Sequence, residues 1–311
     1  NIIDKFPSLT ELELSECLLL VQSMPLSDHV FRQLMFPLNS LQQLTIDGIP
    51  SSMSFPTDGL PKTLKLLIIS NCTLPVLKSL FIEGCINLKS ILIAEDKSEK
   101  SLSFLRSIKI WDCNKLESFS PGELATPNLL YIALWKCEKF HSLPEAMNNL
   151  AALREMEIDN LPNLQSFVID ELPSRLQKLS VGSVGGIIWN TEPTWEHLTC
   201  LSELRINGDD IVNTLMGPLL PTLLVTLCIC GLNDTSMDEK WLQHLTSLQN
   251  LEIINAPKLK SLPKKGFPSS LSVLSVTRCP LLEASLRKKR GKEWRKIAHI
   301  PSIIIDDELI T

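Results

Sequence analysis

The segments SLTELELSEC (8–17), VLKSLFIEGC (76–85), FLRSIKIWDC (104–113), NLLYIALWKC (128–137) and SLSVLSVTRC (270–279) share one pattern, L-x-x-L-x-L-x-x-C, with Ile or Val replacing some leucines. Its first leucine recurs at Leu105, Leu129, Leu153, Leu176, Leu201, Leu224, Leu248 and Leu271, at intervals of 23 to 25 residues. The alternating L-x-L core reads as a short strand, leucines inward and intervening residues outward. One strand per coil at this period is the signature of a leucine-rich repeat. The fold expected is therefore a β-dominated α/β repeat, a leucine-rich-repeat solenoid with a curved parallel β-sheet on its concave face. A second apolar pair follows the strand, as in Leu116 and Phe119, Phe140 and Leu143, Leu164 and Phe167, and Leu259 and Leu262. These pairs close each coil from the convex side. Pro121, Pro127, Pro144, Pro173, Pro221, Pro263 and Pro268 interrupt that side, which predicts short 3₁₀ or irregular segments rather than long helices. Each buried Leu or Phe contributes about 1.5 to 3 kcal/mol, so a coil is stable only when its neighbours cover both faces.

The pattern predicts about 12 repeats over 1–283 and a cap over 284–311. It breaks twice. From Leu64 to Leu77 is 13 residues, too few for a coil, so the unit NCTLPV is a shortened turn or the scar of a deletion, and local distortion is expected there. In the unit of Leu201, Leu204 and Ile206, the cysteine position is Asp209, whose carboxylate must turn outward or find partners. The final stretch, LRKKRGKEWRKIAHIPSIIIDDELIT, leaves the repeat. Trp294, Ile297 and Ile303 to Ile305 are suited to cover the open end, and Arg287, Lys288, Lys289, Arg290, Lys292, Arg295 and Lys296 read as the solvated face of that cap rather than as an import signal.

The chain has 311 residues, 44% of them hydrophobic, and a net charge of -5. Without a basic stripe, nucleic acid is not expected as a partner. Apolar runs such as Cys17 to Val21 fall far short of the roughly 20 residues a membrane helix needs, so no membrane span is expected. Six of nine cysteines (Cys17, Cys72, Cys85, Cys113, Cys137 and Cys279) occupy the same repeat position, which predicts buried, reduced thiols and a cytoplasmic protein, with the nucleus as the second compartment. The sequons at Asn71 and Asn233 are read as chance matches. Residues 1–7 show neither an initiator Met nor a signal pattern, which reads as a fragment of a longer protein.

The ending GFPSSLSVLSVTRCPLLEASLRKKRGKEWRKIAHIPSIIID (266–306), with Gly291, Trp294, Ile297, His299, Ile300 and Pro301, resembles that of plant coiled-coil nucleotide-binding leucine-rich-repeat disease-resistance proteins. The segment HSLPEAMNNLAALREMEIDNLPNLQSF (141–167) resembles their internal repeats. The resemblance implies an intracellular immune receptor whose repeat region recognises a pathogen effector or a guarded host protein and holds the receptor's own nucleotide-binding domain inactive. No G-x-x-x-x-G-K-[ST] phosphate loop occurs, so no cofactor is expected in this chain; ADP or ATP would bind the parent receptor through a domain absent here.

Counting outward positions from each first leucine gives Ser79, Phe81 and Glu83; Ser107, Lys109 and Trp111; Tyr131, Ala133 and Trp135; Glu155, Glu157 and Asp159. Phe81, Lys109, Trp111, Tyr131 and Trp135 would form a protein-binding face beside the acidic rung Glu155, Glu157 and Asp159, which favours basic partners. Glu11 and Glu13 are a weaker case of such an acidic face. No catalytic or metal site is expected: His29, His141, His197, His244 and His299 lie far apart, none forms H-E-x-x-H, and no G-x-S-x-G occurs. His141 and His244 are expected to be solvated. The alternative weighed is the substrate-binding repeat of a ubiquitin-ligase adaptor, disfavoured because the cysteine here leads into x-x-L or x-x-F and often a proline rather than a regular helix. A parallel β-helix would need more than the 12 glycines present.

Overall fold

The computed structural model describes residues 8–15, 38–47, 60–70, 78–93, 105–119, 124, 126–165, 167–188, 194–216, 220–289 and 291–310. Its strands are β1 (Glu11–Ser15), β2 (Gln43–Asp47), β3 (Leu66–Ser70), β4 (Ser79–Glu83), β5 (Ser90–Ile93), β6 (Ser107–Trp111), β7 (Ser118–Phe119), β8 (Tyr131–Trp135) and β9 (Glu155–Leu161). They continue with β10 (Phe167–Val168), β11 (Lys178–Val184), β12 (Ile187–Ile188), β13 (Glu203–Asn207), β14 (Thr226–Cys230), β15 (Asn250–Ile254), β16 (Val273–Thr277), β17 (Ser302–Ile305) and β18 (Glu308–Leu309). The chain divides into two compact units. One comprises Asn1–Phe167, Glu171–Pro173 and Val184–Ile188; the other comprises Val168–Asp170, Ser174–Ser183 and Trp189–Thr311. Both are parallel β solenoids of leucine-rich-repeat type.

The first unit carries two parallel ladders. One runs β1, β2, β3, β5, β7; the other begins at β4 and runs through β6, β8 and β9. The 13-residue interval explains the pair. β3 starts 13 residues before β4 but 24 before β5, so one coil separates β3 from β5 and about half a coil separates it from β4. Half a coil puts the next strand on the other side of the core, and β3 accordingly pairs with β5, Leu67 beside Ile91. The distortion expected near 64–77 falls on 71–77, which, with Cys72 and Asn71, lie outside the described residues, as does Cys17. Inward residues of both ladders are buried: Leu44, Ile46, Leu67 and Ile91 in one, Leu80, Ile108, Ile110, Ile132, Leu134, Met156 and Ile158 in the other. Phe119 of β7 and Phe140 meet edge to face at 5.8 Å. Leu143 is only half-buried, and Pro144 beside it is buried.

In the second unit β11, β13, β14, β15, β16 and β17 stack in parallel, and β18 turns back antiparallel onto β17. Among the described residues most of its connecting segments are irregular or 3₁₀, as at Glu239–Trp241. Helix α1 (Asp209–Met216) differs. Its sequence lacks proline, and Ile211, Val212, Leu215 and Met216 supply an apolar stripe at helical spacing, all buried. Asp209 finds the partner its position demands, its carboxylate accepting from the Asn233 N–H at 2.9 Å.

The terminal segment caps this unit. Helices α2 (Pro280–Leu286) and α3 (Lys292–Ile297) bury Leu282, Leu286 and Ile297. Ile303 and Ile305 do not lie over the end; they extend the ladder as β17, and the turned-back β18 closes its edge. The basic run is engaged locally: Arg287 pairs with Glu308 at 2.8 Å, Lys289 donates to the Ile310 carbonyl at 2.9 Å and lies 5.7 Å from the Trp294 ring, and Lys296 pairs with Glu293. Arg290 lies outside the described residues. Among the described residues no helix is long and apolar enough to cross a membrane.

Candidate protein-interaction face

The outward residues of β4, β6, β8 and β9 fall into three rows. Ser79, Ser107, Tyr131 and Glu155 share one register line; Phe81, Lys109, Ala133 and Glu157 share the next; Glu83, Trp111, Trp135 and Asp159 share the third. The strand alternation read from the sequence therefore brings Phe81, Lys109, Trp111, Tyr131, Trp135, Glu155, Glu157 and Asp159 onto one side of four adjacent strands. Trp111 is 37% exposed, while Phe81, Tyr131 and Trp135 are half-buried. Ala133 is fully buried despite its outward position, with Lys109 and Glu157 as its register neighbours. Glu11 and Glu13 are exposed but belong to the other ladder.

The rings are held in fixed relation. Trp111 and Trp135 meet edge to face, centroids 5.3 Å apart at 76°. Lys109 Nζ lies 5.0 Å from the Tyr131 ring centre and Lys136 Nζ 5.6 Å from that of Trp111. Ser79 and Ser107 share a hydroxyl hydrogen bond of 2.6 Å. Burial, together with the Glu157 carboxylate that accepts its hydrogen bond, holds the Tyr131 phenol above its ordinary range, so it stays neutral and donating.

Beneath the tryptophans the backbone is fastened twice. The Trp111 carbonyl accepts from the Gly84 N–H at 3.0 Å and from the Cys113 thiol at 3.4 Å; the Trp135 carbonyl accepts from the Asp112 N–H at 3.0 Å and the Cys137 thiol at 3.4 Å. Gly84, Asp112 and Lys136 all have positive φ, at 66°, 55° and 52°, and so do Gly208, Gly231, Asn255, Arg278 and Asp306 in the second unit. Each turns the chain out of its strand and aims its N–H at a carbonyl of the neighbouring coil, or at Arg278 toward the Asp306 carboxylate of the cap. Sequence reading missed this device, although its signal is present: Gly, Asn or Asp recurs just before the cysteine position. At Cys113, Cys137 and Cys279 the cysteine position is a thiol that donates to its own strand-end carbonyl, that of Trp111, Trp135 and Thr277 respectively. Cys85, Cys113, Cys137 and Cys279 are buried free thiols, and burial pushes Cys137 up to about 12 and Cys279 up to about 11.

Away from this face, His141 is exposed as expected, but His244 is not solvated. Its Nε2 lies 2.9 Å from the Leu220 carbonyl, and His197 Nε2 lies 3.0 Å from that of Ile169. Close stacking of coils brings each imidazole against a carbonyl of the preceding coil. Among the described residues no three His, Cys, Asp or Glu side chains gather as metal ligands would.

No family model matches the chain. It is similar to an Arabidopsis thaliana protein named "Putative disease resistance protein At3g14460", at 27% identity over 316 residues, which cover 88% of this chain and 22% of that protein. The chain thus spans about a fifth of the length of that relative. This likeness supports the resemblance to the repeat region of plant resistance proteins read from the sequence. Among solved structures it is similar to a leucine-rich-repeat protein of Leptospira interrogans, with 17% identity, coverage of 98% of this chain and 92% of that one, and a TM-score of 0.28. A leucine-rich-repeat protein of Bacteroides ovatus is similar at 14% identity over 91% of this chain and 81% of its own, with a TM-score of 0.22. At such scores neither superposition bears on the fold, which rests on the ladders and their registers.

Proposed function

We propose that this chain is the non-catalytic recognition region of an intracellular plant immune receptor, binding a pathogen effector or a guarded host protein and restraining the receptor's own nucleotide-binding domain. The observation that carries the reading is the cluster of Phe81, Trp111, Tyr131 and Trp135 on one rigid ladder, in a chain with only 5% aromatic residues. Aromatic side chains presented on a fixed scaffold are what binding hot spots use, each worth about 2 kcal/mol or more in favourable cases. The similarity to a protein named for disease resistance supports the immune setting. ADP or ATP would be bound elsewhere in the parent, and its compartment is cytoplasmic or nuclear.

The test is capture from plant cells expressing the tagged chain, compared with a Trp111→Ala, Tyr131→Ala, Trp135→Ala triple variant. Retention of a nucleotide-binding receptor domain or an immune-related host protein by the wild type, lost in the variant, is the expected result. Retention of ubiquitin-ligase core subunits would overturn the immune reading, and an unchanged partner set in the variant would overturn the role of the face.

A further inference from the structure

Resting on the reading of this face as a recognition surface, we infer that the partner segment it takes is basic: an extended stretch carrying arginine, whose guanidinium lies on the Trp111–Trp135 pair and reaches the carboxylates of β9.

Three observations converge on that occupant. The tryptophan row is bracketed by acids, Glu83 on the strand before and Asp159 on the strand after, and the two other rows end on Glu155 and Glu157. Four carboxylates therefore share the face with Lys109 and Lys136. Both of those lysines already lie over rings, Lys109 over Tyr131 at 5.0 Å and Lys136 over Trp111 at 5.6 Å, so the rings accept cations in the folded chain. Finally, indole beside carboxylate suits a planar guanidinium, which stacks on the ring while its N–H fork addresses two oxygens; an ammonium can do only the first as a point charge. An acidic segment would meet like charge on β9 and be repelled.

Lys136 has a defined part in this scheme. Its left-handed backbone, at φ 52°, sets its ammonium over Trp111, where it occupies the position an incoming guanidinium would take. Arginine binding displaces it, so removing the Lys136 side chain strengthens the site.

The experiment uses the full chain, immobilised at low ionic strength. The probes are a heptapeptide of alternating glycine and arginine and its lysine and glutamate counterparts. Expected are binding of the arginine peptide, loss of that binding with added salt, and at least about tenfold weaker binding of the lysine and glutamate peptides. A Glu155→Gln, Glu157→Gln, Asp159→Asn variant and a Trp111→Ala, Trp135→Ala variant, each shown folded by circular dichroism, should each bind about tenfold more weakly, and Lys136→Ala more tightly. Preference for the glutamate peptide, or full affinity in the carboxylate variant, overturns the inference. The two readings fail separately. If partner capture from cells survives carboxylate neutralisation but not aromatic truncation, recognition stands and the basic partner falls; if it survives aromatic truncation, recognition itself falls.

Discussion

Glu293 and Lys296, one turn apart on α3, close together on a single residue of the preceding coil. Their side chains pair at 2.9 Å and are only 12% and 10% exposed; the Leu262 N–H donates to Glu293 Oε2 at 2.7 Å and Lys296 Nζ donates to the Leu262 carbonyl at 2.7 Å. The pair thereby satisfies both backbone groups of Leu262 and ties the cap to the ladder. Lys296→Met should cost on the order of 3 kcal/mol, because it leaves a largely buried carboxylate without its counter-charge. The cost should be local. Hydrogen exchange would show faster exchange at Leu262 and along β17 while β13 and β14 keep their protection; equal loss throughout the second unit would refute this anchoring role.

The buried thiols predict alkaline sensitivity. Folding holds Cys137 and Cys279 neutral at a pH where free thiols ionise, since their pKa values rise from 9.0 to about 12 and about 11. The unfolded chain gains from ionisation once pH exceeds about 9, so this stability is intact below that point and declines as pH climbs through about 11 to 12. Urea midpoints between pH 8 and 11 should fall accordingly, and Cys137→Ala should flatten part of the decline. Thiol labelling at pH 8, mapped by peptide, should mark exposed Cys200 quickly and Cys113 and Cys137 slowly.

Left-handed turns at strand ends offer a stabilising substitution. Arg278 sits at φ 56°, a conformation costing a β-carbon-bearing residue about 1 kcal/mol or more that glycine avoids. Arg278→Gly should therefore raise stability by up to about 1 kcal/mol after glycine's entropic loss. Gly231→Ala is the inverse control. At φ 81°, with a new Cβ 3.4 Å from the Gly208 nitrogen, it should destabilise by about 1 to 2 kcal/mol in urea unfolding.

Trp111→Ala and Ile110→Ala should part company although the residues are neighbours. Ile110 is fully buried, and its truncation should cost about 3 kcal/mol. Trp111 points outward, and losing its edge-to-face contact with Trp135 should cost on the order of 1 kcal/mol. Comparable losses would mean that Trp111 serves the fold rather than an interface.

The strands and their inward residues were legible in the sequence because alternation has one structural meaning once a coil length recurs. The burial of Ile108, Ile132 and Met156 follows from counting alone. The face was legible for the same reason, since Phe81, Trp111, Tyr131 and Trp135 are the complementary positions. Three features were not. The pairing of β3 with β5 depends on which side of the core a half coil ends, which spacing poses as a distortion but does not resolve. Helix α1 needed notice of a missing proline as well as of apolar spacing. The hydrogen bond of His244 to Leu220 depends on contact between coils 24 residues apart, and no local pattern encodes that.

The split into two ladders after β3 resembles a half-pitch dislocation in a screw. In the first unit, β4, β6 and β8 start a second ladder while β5 and β7 carry on the first, and the buried column continues from Leu67 beside Ile91. Losing half a coil of sequence can thus move an exposed surface to the opposite flank while the interior stays continuous, so a short deletion could relocate a recognition surface without composing a new one.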